Sequence, residues 1–403
     1  MNLSGGSLYW PATSPPIPVS KPLDRNTRSD VLVVGAGITG ALAAFELSRA
    51  GARVIVVDRR APASGSTAAS TALVQYELDR TLVSLTGLRG AEHARGAYLA
   101  AARGVDDLAR LARELGTECE LVRHPSLYLA VDPSDTDRLL EEVEARRAVG
   151  LSSRYLDRGV LLSRFGIDRP GAILSEPAHE VNPVKLTRAL LLAMVREGGR
   201  LYERTTVDLA GVCRGRAPFE LSTSGGPSIT TEWVVLATGY EAPEQFAAVA
   251  ELTQLKSTYA LATEPLPGDP WPERALIWEC GEPYFYARTT ADGSVLMGGE
   301  DAAFVDPEAR DARLGAKCES LRAKARSLFP HLDSRPRARW AATFAQTSDG
   351  LPYIGRHAKW SHALFALGYG GNGITFSMIA ARVMAGVIGG RPHPDACWFS
   401  FER

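Results

Sequence analysis

The stretch Asp30-Val31-Leu32-Val33-Val34-Gly35-Ala36-Gly37-Ile38-Thr39-Gly40 constrains this chain more than any other. A run of apolar β-formers ends on a glycine turn and passes into a helix. A second apolar run, Val54 to Val57, ends on Asp58. Gly35 permits the tight turn, Gly37 lets backbone approach a pyrophosphate, and Gly40 lets the helix lie close on the strand. Ile38 and Thr39 open the helix, whose N-terminus faces the phosphates. Asp58 lies eighteen residues after Gly40, where a carboxylate accepts from a ribose hydroxyl and repels a 2′-phosphate. The pattern reads as a dinucleotide cradle of the strand–turn–helix–strand kind.

The 403 residues suffice for two domains or one large one. A net charge of −1 argues against a nucleic-acid partner or an anionic membrane surface. The five cysteines are widely separated, with no CxxC or Cys/His cluster, so no metal site is indicated and a reduced, cytoplasmic setting is expected. No apolar run reaches the ~18 residues of a membrane span. Ile374 to Ile388 comes nearest and contains Arg382. Residues 1–29 are polar, rich in Pro and Ser, and read as an extended lead that drapes over the surface or is partly disordered.

The periodicities predict an α/β chain, α+β overall. A Rossmann-like nucleotide-binding domain (30–83, 170–245 and 335–395) is interleaved with a mostly antiparallel β substrate domain carrying helices (84–169 and 246–334). Helices are expected over 84–115, from Asp135 to Ala148 with Ser134 as cap, from Asn182-Pro183 to about Gly198, over 309–328, and after Gly373. Strands are expected near 200–205, 207–213 and 218–223, at Trp233 to Ala237, and repeatedly between 255 and 300.

Three features extend the cradle. Arg59 is followed by a hydroxyl-rich loop of small residues, Gly65-Ser66-Thr67-Ala68-Ala69-Ser70-Thr71-Ala72, able to approach a long cofactor. The strand ending in Ala237-Thr238-Gly239 can pass close to its phosphates, and Val207 is a further expected contact. Gly368-Tyr369-Gly370-Gly371-Asn372-Gly373 repeats the glycine spacing before the last long helix. Only thirteen residues follow Gly390, so this turn cannot open a second complete nucleotide unit. It can aim a helix N-terminus, starting at Ile374 and Thr375, at an electron-rich group.

Together, V-V-G-A-G-I-T-G with Asp58, the GSTAAS loop, the Ala-Thr-Gly strand end, Thr347-Ser348-Asp349-Gly350-Leu351-Pro352-Tyr353-Ile354-Gly355 and G-Y-G-G-N-G-I-T-F-S resemble the D-amino acid oxidase superfamily. Glycine oxidase, sarcosine oxidase and D-amino acid dehydrogenase belong to it. The resemblance covers nearly the whole chain after residue 29. It implies FAD as cofactor, with Gly350 and the second turn near the flavin, and hydride transfer from a substrate C–H bond. It also exposes departures. The carboxylate-gripping arginine before the D-G-x-P-x-I-G motif falls at Phe344, the lysine after the glycine turn at Thr375, and a second arginine at Gln75. The flavin-tethering cysteine falls at Ala342, so FAD should be non-covalent, and the oxygen-activating lysine falls near Leu296. The usual α-carboxylate clamp is missing or rebuilt.

Tyr284, Tyr286 and Arg288 alternate along an expected strand and share one face. Arg288 is the best remaining anion anchor because a guanidinium grips a carboxylate bidentately. Lys256 is a second candidate, and Gln75 and Asn372 could donate neutral hydrogen bonds near the ring. His179, His357 and His362 are isolated and read as structural. The expected function is oxidation of a C–N bond of an amine or amino acid, giving an imine that hydrolyses, with oxygen or another electron acceptor as second partner. Competing expectations are an FAD-dependent dehydrogenase of a hydroxy acid or alcohol, a flavoprotein for macromolecule modification or partner binding, and an NAD-dependent dehydrogenase. Oligomeric state is open.

Overall fold

A computed structural model of the chain describes residues 2–15, 20–116, 119–241, 244–332 and 335–403. Two mixed sheets frame it. The seven-stranded sheet runs Tyr353–His357, Trp360–Leu367, Ser228–Leu236, Thr27–Val34, Val54–Val57 and Arg200–Tyr202, with Phe219–Ser222 beside Ser228–Leu236. From Trp360–Leu367 to Arg200–Tyr202 the pairs are parallel. Val31 to Val33 and Val54 to Val57 are buried, as a parallel sheet covered on both faces requires. The helix Ile38–Arg49 follows the first glycine turn and Gly373–Ile388 follows the second. They lie side by side, with the Thr39 and Ser377 hydroxyls 2.7 Å apart.

The ten-stranded sheet runs Ser4–Ser7, Pro336–Gln346, Gln254–Thr263, Val295–Ala302, Phe285–Thr289, Leu276–Glu279, Val122–Leu129, Gly171–Glu180 and Leu73–Gln75. Ser153–Asp157 pairs with Gly171–Glu180. Three of its strands, Leu73–Gln75, Gly171–Glu180 and Pro336–Gln346, come from stretches expected in the nucleotide-binding part. Long-range pairing takes each of them into the other sheet.

The lead is built in rather than draped. Ser4–Ser7 forms an edge strand against Pro336–Gln346. Trp10 is buried and its indole Nε1 donates to the Ser70 carbonyl at 2.6 Å, while the Tyr9 hydroxyl donates to Asp292 at 2.8 Å. Met1 and residues 16–19 of the lead lie outside the described residues. The first core strand starts at Thr27, before Asp30.

Other local expectations shift for identifiable reasons. The expected strand 207–213 is instead the short helix Ala210–Arg214. The expected helix 84–115 divides into Leu82–Arg89 and Ala91–Glu114 at Gly90, whose φ of 82° suits glycine. The expected helix 309–328 divides into Pro307–Ala312 and Leu314–Leu328. Asp132, not Ser134, caps the turn Pro133–Asp135 that leads into Thr136–Ala148. Asn182 caps Pro183–Arg196 by accepting from the Lys185 amide at 3.1 Å.

A buried ion cluster joins helix and sheet. The Arg146 guanidinium donates to Glu142 at 2.7 Å, to Glu77 at 2.6 Å and to the Ser175 hydroxyl at 3.2 Å. Glu142 also accepts from the Leu82 and Val83 amides, at 2.8 and 3.0 Å, capping the helix they begin. Removing the cation would leave two buried carboxylates facing each other. Arg146→Ala should therefore lower the unfolding free energy by about 3–5 kcal/mol in urea titration. A second prediction concerns pH. His179 is buried on Gly171–Glu180, and burial, helped by Arg123, His124 and Arg113, pushes its imidazole down to about 4. The folded state thus holds a neutral ring that the unfolded chain protonates at its ordinary pKa of ~6.5. Its contribution is complete above that value and is lost as pH falls towards about 4. The urea midpoint should fall across that window and fall less in His179→Gln.

Candidate active site

A cavity of about 1150 Å³ opens between the two sheets. One end is the glycine cradle. Gly35 has φ +112°, and a Cβ there would lie 2.2 Å from the Ala237 carbonyl oxygen. A Cβ on Gly40 would lie 1.8 Å from the Gly35 carbonyl oxygen, so only glycine lets the helix lie this close. The Thr67 hydroxyl accepts from the Ile38 amide at 2.9 Å, across from Gly37. Asp58 accepts from the Ala36 and Arg60 amides, both at 2.8 Å, and still faces the cavity. Burial pushes its carboxyl up, against the pull of those two amides. Arg59 and Arg60 both reach Glu241, closing this end of the cleft.

The hydroxyl-rich loop runs along the wall, with Ser66, Thr67, Ser70 and Thr71 lining it opposite Val207, Ala237, Thr238 and Gly239. The Ser66 hydroxyl is buried and has no hydrogen-bond partner among the described residues. Ala72 is buried off the cavity, in a turn with φ 58°.

The second glycine turn brings Gly370, Gly371, Gly373 and Ile374 to the same wall. Its glycines make room for Asp79. A Cβ on Gly370 would lie 2.1 Å from one Asp79 carboxylate oxygen, and the Gly371 amide donates to both oxygens at 3.0 and 3.2 Å. Asn372, Thr375 and Gln75 lie behind this wall, contrary to expectation. The Asn372 amide donates to the Glu77 and Gln75 carbonyls, and the Thr375 hydroxyl to Gln75 at 3.0 Å. Gly350 also lies off the cavity, against Arg80, in a turn held by Asp349 with Arg89 and Arg403.

A family model described as FAD dependent oxidoreductase (DAO) matches residues 30–387. The chain belongs to this family. The glycine oxidase of Geobacillus kaustophilus is 26% identical over 90% of this FAD-dependent oxidoreductase and 93% of its own length. The gamma-glutamylputrescine oxidoreductase of Escherichia coli is 25% identical over 95% and 89%. YhfW of Bacillus subtilis, named for a Rieske 2Fe-2S centre, is 24% identical over 98% and 75%. Among solved structures, Geobacillus kaustophilus glycine oxidase superposes with a TM-score of 0.77 at 23% identity, covering 93% of this chain and 99% of that one. An L-amino acid deaminase from Proteus myxofaciens reaches 0.78 at 16%, covering 99% and 98%. These superpositions carry the fold.

FAD is the cofactor of the family, and the residues present fit it. The cradle brings backbone and small side chains to the cavity wall, Asp58 offers lone pairs there, and the orphaned Ser66 hydroxyl lacks only an acceptor.

The far end of the oxidoreductase cavity is formed by the ten-stranded sheet. Tyr284, Tyr286, Lys256 and Phe344 line it, and Lys256 and Phe344 are direct cross-strand neighbours. Ala342 also lines it; Leu296 is buried off the cavity, opposite Arg288. Arg288 itself is not at the cavity. Its strand alternation is as expected, but the lead and the hydroxyl-rich loop cover it. Its guanidinium donates to the carbonyls of Thr71 at 2.6 Å and Val181 at 2.9 Å, pairs with Glu180 at 3.5 Å, and lies over the Trp10 ring.

Sequence reading missed Asp79, Glu282, Asp301, Tyr128, Tyr240, Trp278 and Tyr369 as lining residues. Tyr240 directly follows Ala-Thr-Gly, and Tyr369 sits inside the second glycine motif, so extending both motifs would have found them. The others arrive from separated strands and, for Asp79 and Glu282, from loops, and carry no local signal. Burial pushes the Asp301 carboxyl up to about 6, with Asp79 and Glu282 adding like charge. Asp79 is raised too, because the cleft walls keep bulk water from it. Arg288→Ala should lower stability by at least about 2 kcal/mol, since it strips buried carbonyls of their donor. An equally stable variant with a raised KM would return Arg288 to the substrate site.

Proposed function

We propose that this oxidoreductase oxidises a C–N bond of an amine or amino acid to an imine, which water then hydrolyses to a carbonyl compound and an amine. Bound FAD supplies the acceptor for the hydride, the other proton being lost from nitrogen. The observation that carries this reading is one cavity continuous from the glycine cradle to the Tyr284–Tyr286 wall, whose phenolic and apolar side chains can position a neutral amine. A neutral amine brings its own lone pair and needs mainly to be positioned. The names of the relatives, an oxidase of glycine, an oxidoreductase of gamma-glutamylputrescine and a deaminase of L-amino acids, favour the same class.

The side chains divide the work. Ser66, Thr67, Ser70 and Thr71 hold the phosphates, with Asp58 on the ribose. Tyr284 and Tyr286 face the substrate, Phe344 gives it an apolar wall, and Lys256 is the cation there. Ala342 has no atom able to tether a flavin, so no covalent bond to the cofactor forms at that position. The seven-stranded sheet is the core of the cofactor-binding part and the ten-stranded sheet that of the substrate part.

Anaerobic titration of the FAD-loaded protein tests this reading. Amines or amino acids should bleach the visible flavin band, while hydroxy acids should leave it. Bleaching by hydroxy acids alone would replace C–N with C–O oxidation.

A further inference from the structure

We propose that the far end of the cavity binds a second positive charge on the substrate, making the preferred substrate a di- or polyamine rather than a free α-amino acid. This rests on the C–N reading above and deepens it. Asp79, Glu282 and Asp301 line that end against a single cation, Lys256. No salt bridge engages any of the four among the described residues. The carboxylate of Asp79 is fixed in place by the Gly371 amide. One oxygen of Asp301 is buried with no hydrogen-bond partner among the described residues. Tyr369, only 6% exposed, lines the same cavity, and its hydroxyl is likewise unpartnered. These are acceptors waiting for a donor.

The remaining wall suits the same guest. Tyr128 and Trp278 stack at 3.8 Å, and the rings of Tyr284 and Tyr286 lie 5.7 Å apart. Aromatic faces attract an ammonium group through the ring quadrupole, more strongly when it is desolvated. A free α-amino acid would bring its carboxylate to a wall already carrying excess negative charge, where like charges repel. Phe344, which lines this end, offers that carboxylate no cation.

The acids serve poorly if aimed at the reacting nitrogen. That nitrogen must be neutral to lose hydride from its carbon, and carboxylates beside it would hold its proton. They serve well on a second, non-reacting ammonium. It would draw the substrate in and fix its orientation while the first nitrogen meets the apolar and phenolic surface.

The test uses the FAD-loaded protein and three probes: putrescine, n-butylamine and glycine. Equilibrium binding to the oxidised protein is followed by perturbation of the flavin spectrum, and anaerobic bleaching is read separately. Putrescine should bind at least about tenfold more tightly than n-butylamine, and glycine most weakly. In Asp301→Asn and Asp79→Asn the putrescine-to-butylamine ratio should fall to about threefold or less. Equal binding of the two amines, or tighter binding of glycine, overturns the second-charge proposal even if amines are oxidised. An unchanged ratio in both variants also overturns it. Preferential putrescine binding without any bleaching by amines or amino acids would sustain the cation site and overturn the C–N reading instead.

Discussion

The segment from Gln75 to Asp79 is the joint on which this molecule depends. On one side the Glu77 carboxylate is held by Arg146 and by the Ser175 hydroxyl, which ties it to the ten-stranded sheet and to the helix Thr136–Ala148. On the other side the carbonyls of Gln75 and Glu77 accept from Asn372 and Thr375, and Asp79 accepts from Gly371. Five residues therefore fasten the second glycine turn, and the helix behind it, to the far sheet. The polar groups involved are mostly buried. Each is costly to leave unpaired, so the two sheets are held in one relative position around the cavity.

The same joint sets the character of the cavity. Asp79 rests on a turn whose glycines leave room for its carboxylate, so a negative charge stands at the entrance to the last long helix. A helix N-terminus attracts an anion, and here the protein supplies one of its own. With Asp301 and Glu282 nearby, the far end of the cavity is acidic although the chain as a whole is close to neutral. Arg288, whose charge would balance it, is engaged elsewhere. It lies under Trp10 and holds the hydroxyl-rich loop through Thr71, a structural duty that links the N-terminal strand to the cofactor wall.

Local chemistry made the cradle legible. Gly35, Gly37, Gly40 and Asp58 lie in one βαβ unit, where short-range sterics demand glycine and a short connection brings the acid beside the turn. The hydroxyl-rich loop and the Ala-Thr-Gly strand end were legible for the same reason. Residues whose position depends on distant partners were not. Arg288 shares a strand face with Tyr286, as its spacing requires, but spacing says nothing of Trp10 and Thr71 arriving to cover it. Thr375 and Asn372 sit where the glycine motif puts them, yet they turn to Gln75 and Glu77, about three hundred residues away in sequence.

By itself, then, the sequence determined the dinucleotide turn, which follows from contacts between residues close along the chain, while the family and FAD were implied by motifs spread along nearly all of it. Tertiary structure decided which polar groups face the cavity. It gathered Asp79, Glu282 and Asp301 with Tyr128 and Trp278 at one end, and it withdrew Arg288, Gln75, Asn372 and Thr375 from it. The physical reason is that a cavity wall is assembled by long-range strand pairing and by satisfaction of buried hydrogen bonds, and neither leaves a mark within any one stretch of sequence.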